Sequence, residues 1–136
     1  MATATSGGDG RGRVLVIDDD PLVRETLADT LAVEGMEVDG LANAEDALDL
    51  LGANQVPDVL VADMDLGSGL TGLDLARIAR ERHAGVEVVL ISGKPLDQGR
   101  GIPVGRERFL QKPFSPAALA EAIRGAAAAA SAKAGA

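Results

Sequence analysis

Pro57-Asp58-Val59-Leu60-Val61-Ala62-Asp63-Met64-Asp65-Leu66-Gly67 lies near the middle of the chain. Four apolar residues, bounded by a proline before and a glycine after, have the length of a strand buried on both faces rather than of a helix. Asp63 therefore stands at the strand's carboxyl end. In an open α/β sheet that edge is where the loops diverge and leave a crevice for ligands.

Upstream, Arg13-Val14-Leu15-Val16-Ile17 reads as a second buried strand that breaks into Asp18-Asp19-Asp20-Pro21. Asp20 is the N-cap of the helix that follows, and Pro21 takes its first position. Val23, Leu27 and Leu31 recur at helical spacing, and Gly35 ends the helix. Met36-Glu37-Val38-Asp39-Gly40 alternates like a half-exposed edge strand. Asn43 caps another helix, with Glu45 and Asp46 in its first turn, Ala47, Leu48 and Leu51 on its buried side, and Gly52 at its end.

Downstream, the glycine-rich loop from Leu66 to Gly72 leads into a helix from about Leu73 to Arg82, with Leu75, Ile78 and Ala79 as its apolar stripe. Val86 to Ile91 is a fourth strand, followed directly by Ser92-Gly93-Lys94-Pro95. Phe109-Leu110 is a short fifth strand before Gln111-Lys112-Pro113-Phe114. Ser115-Pro116 then opens a last helix with Leu119 and Ile123 inward. Alternating strands and helices predict an α/β fold with a parallel sheet and helices on both faces. The segment from Lys94 to Arg106 is the exception. Pro95, Gly99, Gly101, Pro103 and Gly105 interrupt it, and only Leu96, Ile102 and Val104 are apolar, so at most one helical turn is expected there.

The 136 residues suit one domain, with no room for a second catalytic or DNA-binding one. Residues 1–12 read as a flexible tail, 13–125 as the folded domain, and 126–136 as an Ala-rich tail or helix extension. A formal net charge of −8 argues against nucleic acid or an anionic membrane as the main partner. The chain has no cysteine, no secretion signal and no apolar run near the roughly 20 residues of a membrane span, so a cytoplasmic protein is expected.

Asp18, Asp19, Asp63, Ser92 and Lys112 each lie just past the carboxyl end of a predicted strand, and in a parallel sheet those ends share one rim. Carboxylates converging there repel one another unless a cation neutralises them, and a hard divalent ion such as Mg²⁺ takes oxygen ligands of this kind. One carboxylate is then available as a nucleophile towards phosphorus, with Lys112 and the Ser92 hydroxyl binding phosphoryl oxygens. The set reads as a phosphoryl-transfer site.

With these motifs in order, the sequence resembles the receiver domains of two-component response regulators. The resemblance runs from about Arg13 to Gly125 and rests on Val16-Ile17-Asp18-Asp19-Asp20-Pro21, Val61-Ala62-Asp63-Met64-Asp65, Leu90-Ile91-Ser92-Gly93, Phe109 and Lys112-Pro113-Phe114. It implies a flavodoxin-like, doubly wound five-stranded parallel sheet of order 2-1-3-4-5, here with the fourth helix short or missing. It also implies that Asp63 accepts a phosphoryl group from a histidine kinase or histidine phosphotransfer protein. By the same resemblance Asp19, Asp63 and the backbone carbonyl of Asp65 hold Mg²⁺ (or Mn²⁺), with Asp18 acting through water. Ser92 and Lys112 bind the phosphoryl group, and Phe109 turns inward as Ser92 is drawn to it. Asp65 and Lys94 border the path of the hydrolytic water and tune the phosphoryl lifetime.

Such a domain signals by conformational change to a downstream protein that the sequence does not name, as a monomer or weak dimer. It is no enzyme beyond its own phosphorylation and dephosphorylation. A stand-alone receiver is expected. Two departures stand out: after Asp63, Gly67 occupies the place of the usual proline and the usual glycine is Gly72, one residue late; and the segment between Ser92 and Lys112 is slightly shorter than usual and lacks the amphipathic helix that the family carries there. Two alternatives differ in class. Asp63-Met64-Asp65 also resembles the nucleophile motif of haloacid dehalogenase phosphatases, with Asp63 and Asp65 as the working pair, although that family carries the motif on its first strand in a longer chain. A non-phosphorylated, receiver-like protein-binding module is the other. Taken singly, Phe109 reads as core and His83 as a solvated surface residue.

Overall fold

The computed structural model describes residues 13–53, 56–64, 70–83, 85–93 and 108–135, with side chains as far as residue 129. The expectations for the tail at residues 1–12, for Asp65, for Lys94 and for the segment from Lys94 to Arg106 lie outside these residues. The elements in chain order are β1 (Arg13–Ile17), α1 (Pro21–Val33), β2 (Glu37–Leu41), α2 (Ala44–Gly52), β3 (Val59–Asp63), α3 (Gly72–Arg82), β4 (Glu87–Ser92), β5 (Arg108–Gln111) and α4 (Pro116–Gly135). All four ladders are parallel, and the strand order is β2-β1-β3-β4-β5, the flavodoxin-like arrangement that the resemblance to receiver domains implies. Among the described residues no helix lies between β4 and β5.

The chain steps from β1 outward to edge strand β2, then returns past β1 to β3. The carboxyl ends of β1 and β3 thus border the point where the winding reverses, the place where an open α/β sheet leaves its crevice.

Strand periodicity sends alternate residues of β1, β3 and β4 to opposite faces. Leu15, Ile17, Leu60, Ala62, Val88 and Leu90 pack with Ala47 and Leu51 of α2 and Leu75 and Ala79 of α3. On the other face Val14, Val16, Val61, Val89 and Ile91 pack with Leu27 and Leu31 of α1 and Leu119 and Ile123 of α4. Each large aliphatic side chain so buried contributes about 1.5–3 kcal/mol, and together they hold the strand ends that carry the polar groups.

Local signals set the helix ends. The Asp20 carboxylate accepts the Leu22 N–H at 3.0 Å with Pro21 in the first turn, and Asn43 Oδ1 accepts the Asp46 N–H at 2.8 Å. Gly35, at φ 84°, turns the chain out of α1 in a conformation that side chains resist. The Ser115 hydroxyl accepts the Ala118 N–H at 3.0 Å and opens α4.

Three local expectations are corrected. β2 begins at Glu37, not Met36; the Met36 N–H donates to the Leu31 carbonyl at 3.2 Å, so this buried residue closes α1 instead of opening the strand. α3 begins at Gly72, because Thr71 and Asp74 form a reciprocal capping box with bonds of 3.1 and 3.2 Å. His83 is half-buried, with Nε2 3.3 Å from the Leu51 carbonyl, where it joins the ends of α2 and α3. Glu87, at the start of β4, is 1 % exposed and pairs with Arg108 of β5 at 3.3 Å.

Candidate functional site

Strand register assembles the rim. Ile17 pairs with Ala62, so the next residues, Asp18 and Asp63, emerge side by side. Asp63 pairs with Ile91, which sets Ser92 one step further along β4, and Ser92 pairs with Gln111, which sets Lys112 just past β5. Backbone bonds lock these ends: Met64 N–H to the Ile91 carbonyl at 2.8 Å, Lys112 N–H to the Ser92 carbonyl at 2.7 Å, and Asp18 N–H to the Leu41 carbonyl at 3.1 Å. The Lys112–Pro113 peptide is cis.

Asp18 and Asp63 are buried and Asp19 is exposed, yet one carboxylate oxygen from each lies within 4.8 Å of the others. The Lys112 ammonium donates to Asp63 Oδ2 at 3.0 Å and stands 3.8 Å from Asp18 Oδ2. Three carboxylates thus face one ammonium. Asp18 Oδ1 accepts the Asp20 N–H at 2.9 Å, whereas the buried Oδ2 has no hydrogen-bond partner. An orphaned buried carboxylate oxygen beside two further hard oxygen donors fits a divalent cation. Asp18, Asp19 and Asp63 are the residues that could hold one.

Titration reflects the same crowding. Burial pushes the Asp18 carboxyl up from its ordinary 3.8 to about 6; the Asp20 hydrogen bond opposes this, and the charge of Asp63 adds to it. For Lys112, burial works against the charged form, but the hydrogen bond and charge of Asp63, with Asp18 and Asp19, outweigh it and raise its pKa above 10.5. Because the folded Asp18 binds its proton more tightly than the unfolded chain does, its contribution to stability is fully present below pH 3.8 and is lost as pH rises through about 6. In cation-free buffer at pH 7, Asp18→Asn should therefore be more stable than the wild type, by on the order of 2 kcal/mol, and melt at a higher temperature, with little difference at pH 4. Thermal melts at both pH values, with and without MgCl₂, check this; a constant gap between the two proteins would contradict it.

Ser92 is fully buried at the end of β4. Phe109 pairs with Leu90, two residues back on the same strand face, and is half-buried against the apolar cluster under α2 and α3. Register and contacts therefore bring together Asp18, Asp19, Asp63, Ser92 and Lys112. Asp65 and Lys94 are outside the described residues.

Two contributors go beyond the sequence reading, which named Gly72 only as the late counterpart of a family glycine and did not name Arg24. A Cβ on Gly72 would stand 2.3 Å from the Asp63 carbonyl oxygen and 2.9 Å from Met64 Cα, so α3 can begin against the end of β3 only through a glycine. The extra residue of the preceding loop thus leaves this contact in place. Arg24, one turn into α1, donates from Nη1 to the Asp18 carbonyl at 2.8 Å. Its signal was a cation in the opening turns of a helix, where the macrodipole disfavours positive charge and something else must hold it.

Comparison with known proteins bears on these groups. The sequence profile of the response regulator receiver domain matches residues 14–124. The chain is 36 % identical over 119 residues to the C4-dicarboxylate transport transcriptional regulatory protein DctD of Pseudomonas aeruginosa, covering 85 % of this chain and 25 % of that one. It is 32 % identical over 116 residues to the DNA-binding response regulator MtrA of Mycolicibacterium smegmatis, covering 84 % and 50 %. It therefore spans between a quarter and a half of these curated relatives. A response regulator receiver protein from Sinorhizobium medicae superposes with a TM-score of 0.78 at 27 % identity, covering 87 % of this chain and 95 % of that one.

Proposed function

The chain belongs to the receiver-domain family of two-component response regulators, and from that premise we propose that Asp63 is its phosphoryl acceptor, in a reaction that depends on Mg²⁺ or Mn²⁺. One observation carries the assignment. Of the three clustered carboxylates, Asp63 is the one within hydrogen-bond reach of Lys112, and it stands at the end of the central strand where the winding reverses. The donor is a phosphohistidine, on a histidine kinase or a phosphotransfer protein.

The Asp63 carboxylate attacks phosphorus, a new O–P bond forms as the P–N bond breaks, and the electron pair leaves with the imidazole. Asp19, Asp63 and the Asp65 carbonyl, with Asp18 acting through water, would hold the cation, whose positive charge would let a second anion approach the acids. Lys112 binds one transferred oxygen as it gives up its bond to the unmodified carboxylate. The Ser92 hydroxyl donates to another, and its movement draws Phe109 inward, which changes the surface that a downstream protein reads. Asp65 and Lys94 line the water path to the phosphoryl group.

A groove of about 370 Å³ lined by Leu22, Val23, Thr26, Leu27 and Phe114 adjoins Lys112 and supports a protein as the donor. Leu22 is 69 % exposed there. Among the described residues no helix is long and apolar enough to cross a membrane. The phosphatase alternative finds no support, because the acceptor motif lies on the third strand of a receiver.

Incubation with acetyl phosphate and MgCl₂ tests the proposal: intact mass is expected to rise by one phosphoryl group, and EDTA is expected to abolish the gain. Labelling that is indifferent to EDTA would overturn the cation dependence, and no labelling would overturn the acceptor role. Decay of the labelled protein is expected to change rate when Asp65 or Lys94 becomes alanine; wild-type decay in both variants would remove them from the water path.

A further inference from the structure

We propose that Arg24 is a positioning residue for the cation site and acts through the backbone of Asp18. The inference rests on the reading of Asp18, Asp19 and Asp63 as cation ligands. Four hydrogen bonds close the stretch from Asp18 to Arg24 on itself: Asp20 N–H to Asp18 Oδ1 at 2.9 Å, Leu22 N–H to Asp20 Oδ1 at 3.0 Å, Arg24 N–H to the Asp20 carbonyl at 3.0 Å, and Arg24 Nη1 to the Asp18 carbonyl at 2.8 Å. With the Asp18 N–H given to Leu41, every polar atom of Asp18 except Oδ2 then has a partner among the described residues.

The bond from Arg24 differs from the others in what it holds. The Asp18 carbonyl belongs to the peptide that joins Asp18 to Asp19, so fixing its plane fixes how the two carboxylates are aimed relative to each other. Asp18 is 1 % exposed, and without Arg24 its carbonyl has no other donor among the described residues. The peptide is then released to turn towards water, and the Asp19 carboxylate turns with it. The guanidinium is itself anchored. It rises from the first turns of α1, and its stem passes over Gly40 of β2, with Cδ 3.6 Å from the place of a Cβ there. Partners of this kind, one bond removed from a metal, orient the ligands that touch it.

Sign separates this role from a purely electrostatic one. Arg24 adds positive charge beside the acids, so by Coulomb's law alone its removal strengthens cation binding; loss of positioning weakens it. Arg24→Met keeps the stem over Gly40 and removes both charge and donors. Arg24→Gln, too short to reach the carbonyl, serves as a second variant should the first fold poorly.

In the full-length chain, labelling by acetyl phosphate is followed across a MgCl₂ titration, with calorimetric Mg²⁺ affinity alongside. Arg24→Met and Arg24→Gln are expected to raise the half-saturating Mg²⁺ concentration about tenfold while leaving the rate at saturation near the wild type. Arg24→Lys, which retains one donor, should recover most of the loss. A merely structural role would lower melting temperature and folded fraction without moving half-saturation. Unchanged or tighter Mg²⁺ binding in the folded Arg24 variants overturns the inference, provided that Asp19→Ala in the same series has lost its response to Mg²⁺. Should Asp19→Ala instead bind Mg²⁺ as the wild type does, the cation-site reading falls, and the inference falls with it.

Discussion

Asp63→Asn is expected to take up no phosphoryl group from acetyl phosphate and MgCl₂ under conditions that label the wild type, with its far-UV spectrum unchanged. The substitution is close to isosteric, and the amide keeps an oxygen that can accept the Lys112 bond, given at 3.0 Å in the wild type. What it removes is the nucleophile, since a neutral amide does not attack phosphorus at neutral pH. It also leaves two carboxylates in place of three beside Lys112, so the fold loses repulsion rather than support. Intact mass reports labelling directly. Incorporation in the mutant above a few per cent of the wild-type level would transfer the acceptor role to a neighbouring acid.

A second large effect is expected at a residue with no side chain. Gly72→Ala should cost about 3 kcal/mol, the upper end of what overpacking usually costs, because its Cβ meets backbone at 2.3 Å rather than the end of a flexible side chain. The atom it meets is the Asp63 carbonyl oxygen, so any relief comes from moving α3 or the end of β3, and labelling should fall with stability. Gly52→Ala is the control. Nothing stands within 4 Å of a Cβ at Gly52, and an alanine at the end of α2 should be neutral or stabilising by about 0.5–1 kcal/mol. Denaturant titrations of the two variants decide the matter; equal stabilities would show that α3 does not depend on this close approach.

The strands were legible because a strand buried on both faces leaves an unbroken apolar run, as Val59 to Ala62 and Val88 to Ile91 do. The rim followed from the fold, since Asp18, Asp63, Ser92 and Lys112 needed only parallel strands to share one end. Errors came where two local signals competed. Met36 carries a strand pattern, but its backbone is spoken for by the exit of α1. Thr71 and Asp74 cap a helix that the apolar stripe alone dates one residue late.

Side chains that reach across elements were the least legible. Arg24 onto Asp18, Arg108 onto Glu87 and His83 onto Leu51 join residues of different elements, and no periodicity of a single segment encodes such a pairing. Glu87 left a trace, because a carboxylate inside an otherwise apolar strand must find a cation if it is buried. Gly72 left one too, as the late counterpart of the glycine that usually follows the acceptor in the family. Its reason is a backbone carbonyl that the sequence does not bring near until β3 and α3 are packed.

The most direct measurement identifies the atom that carries phosphorus. An aspartyl phosphate is an acyl phosphate, which borohydride reduces to homoserine, whereas a phosphoserine survives the treatment. Labelling with acetyl phosphate and MgCl₂, reduction with borohydride, and mass mapping of the peptides are expected to find homoserine at position 63. Homoserine at Asp18, Asp19 or Asp65, or a borohydride-stable phosphate on Ser92, would contradict the account.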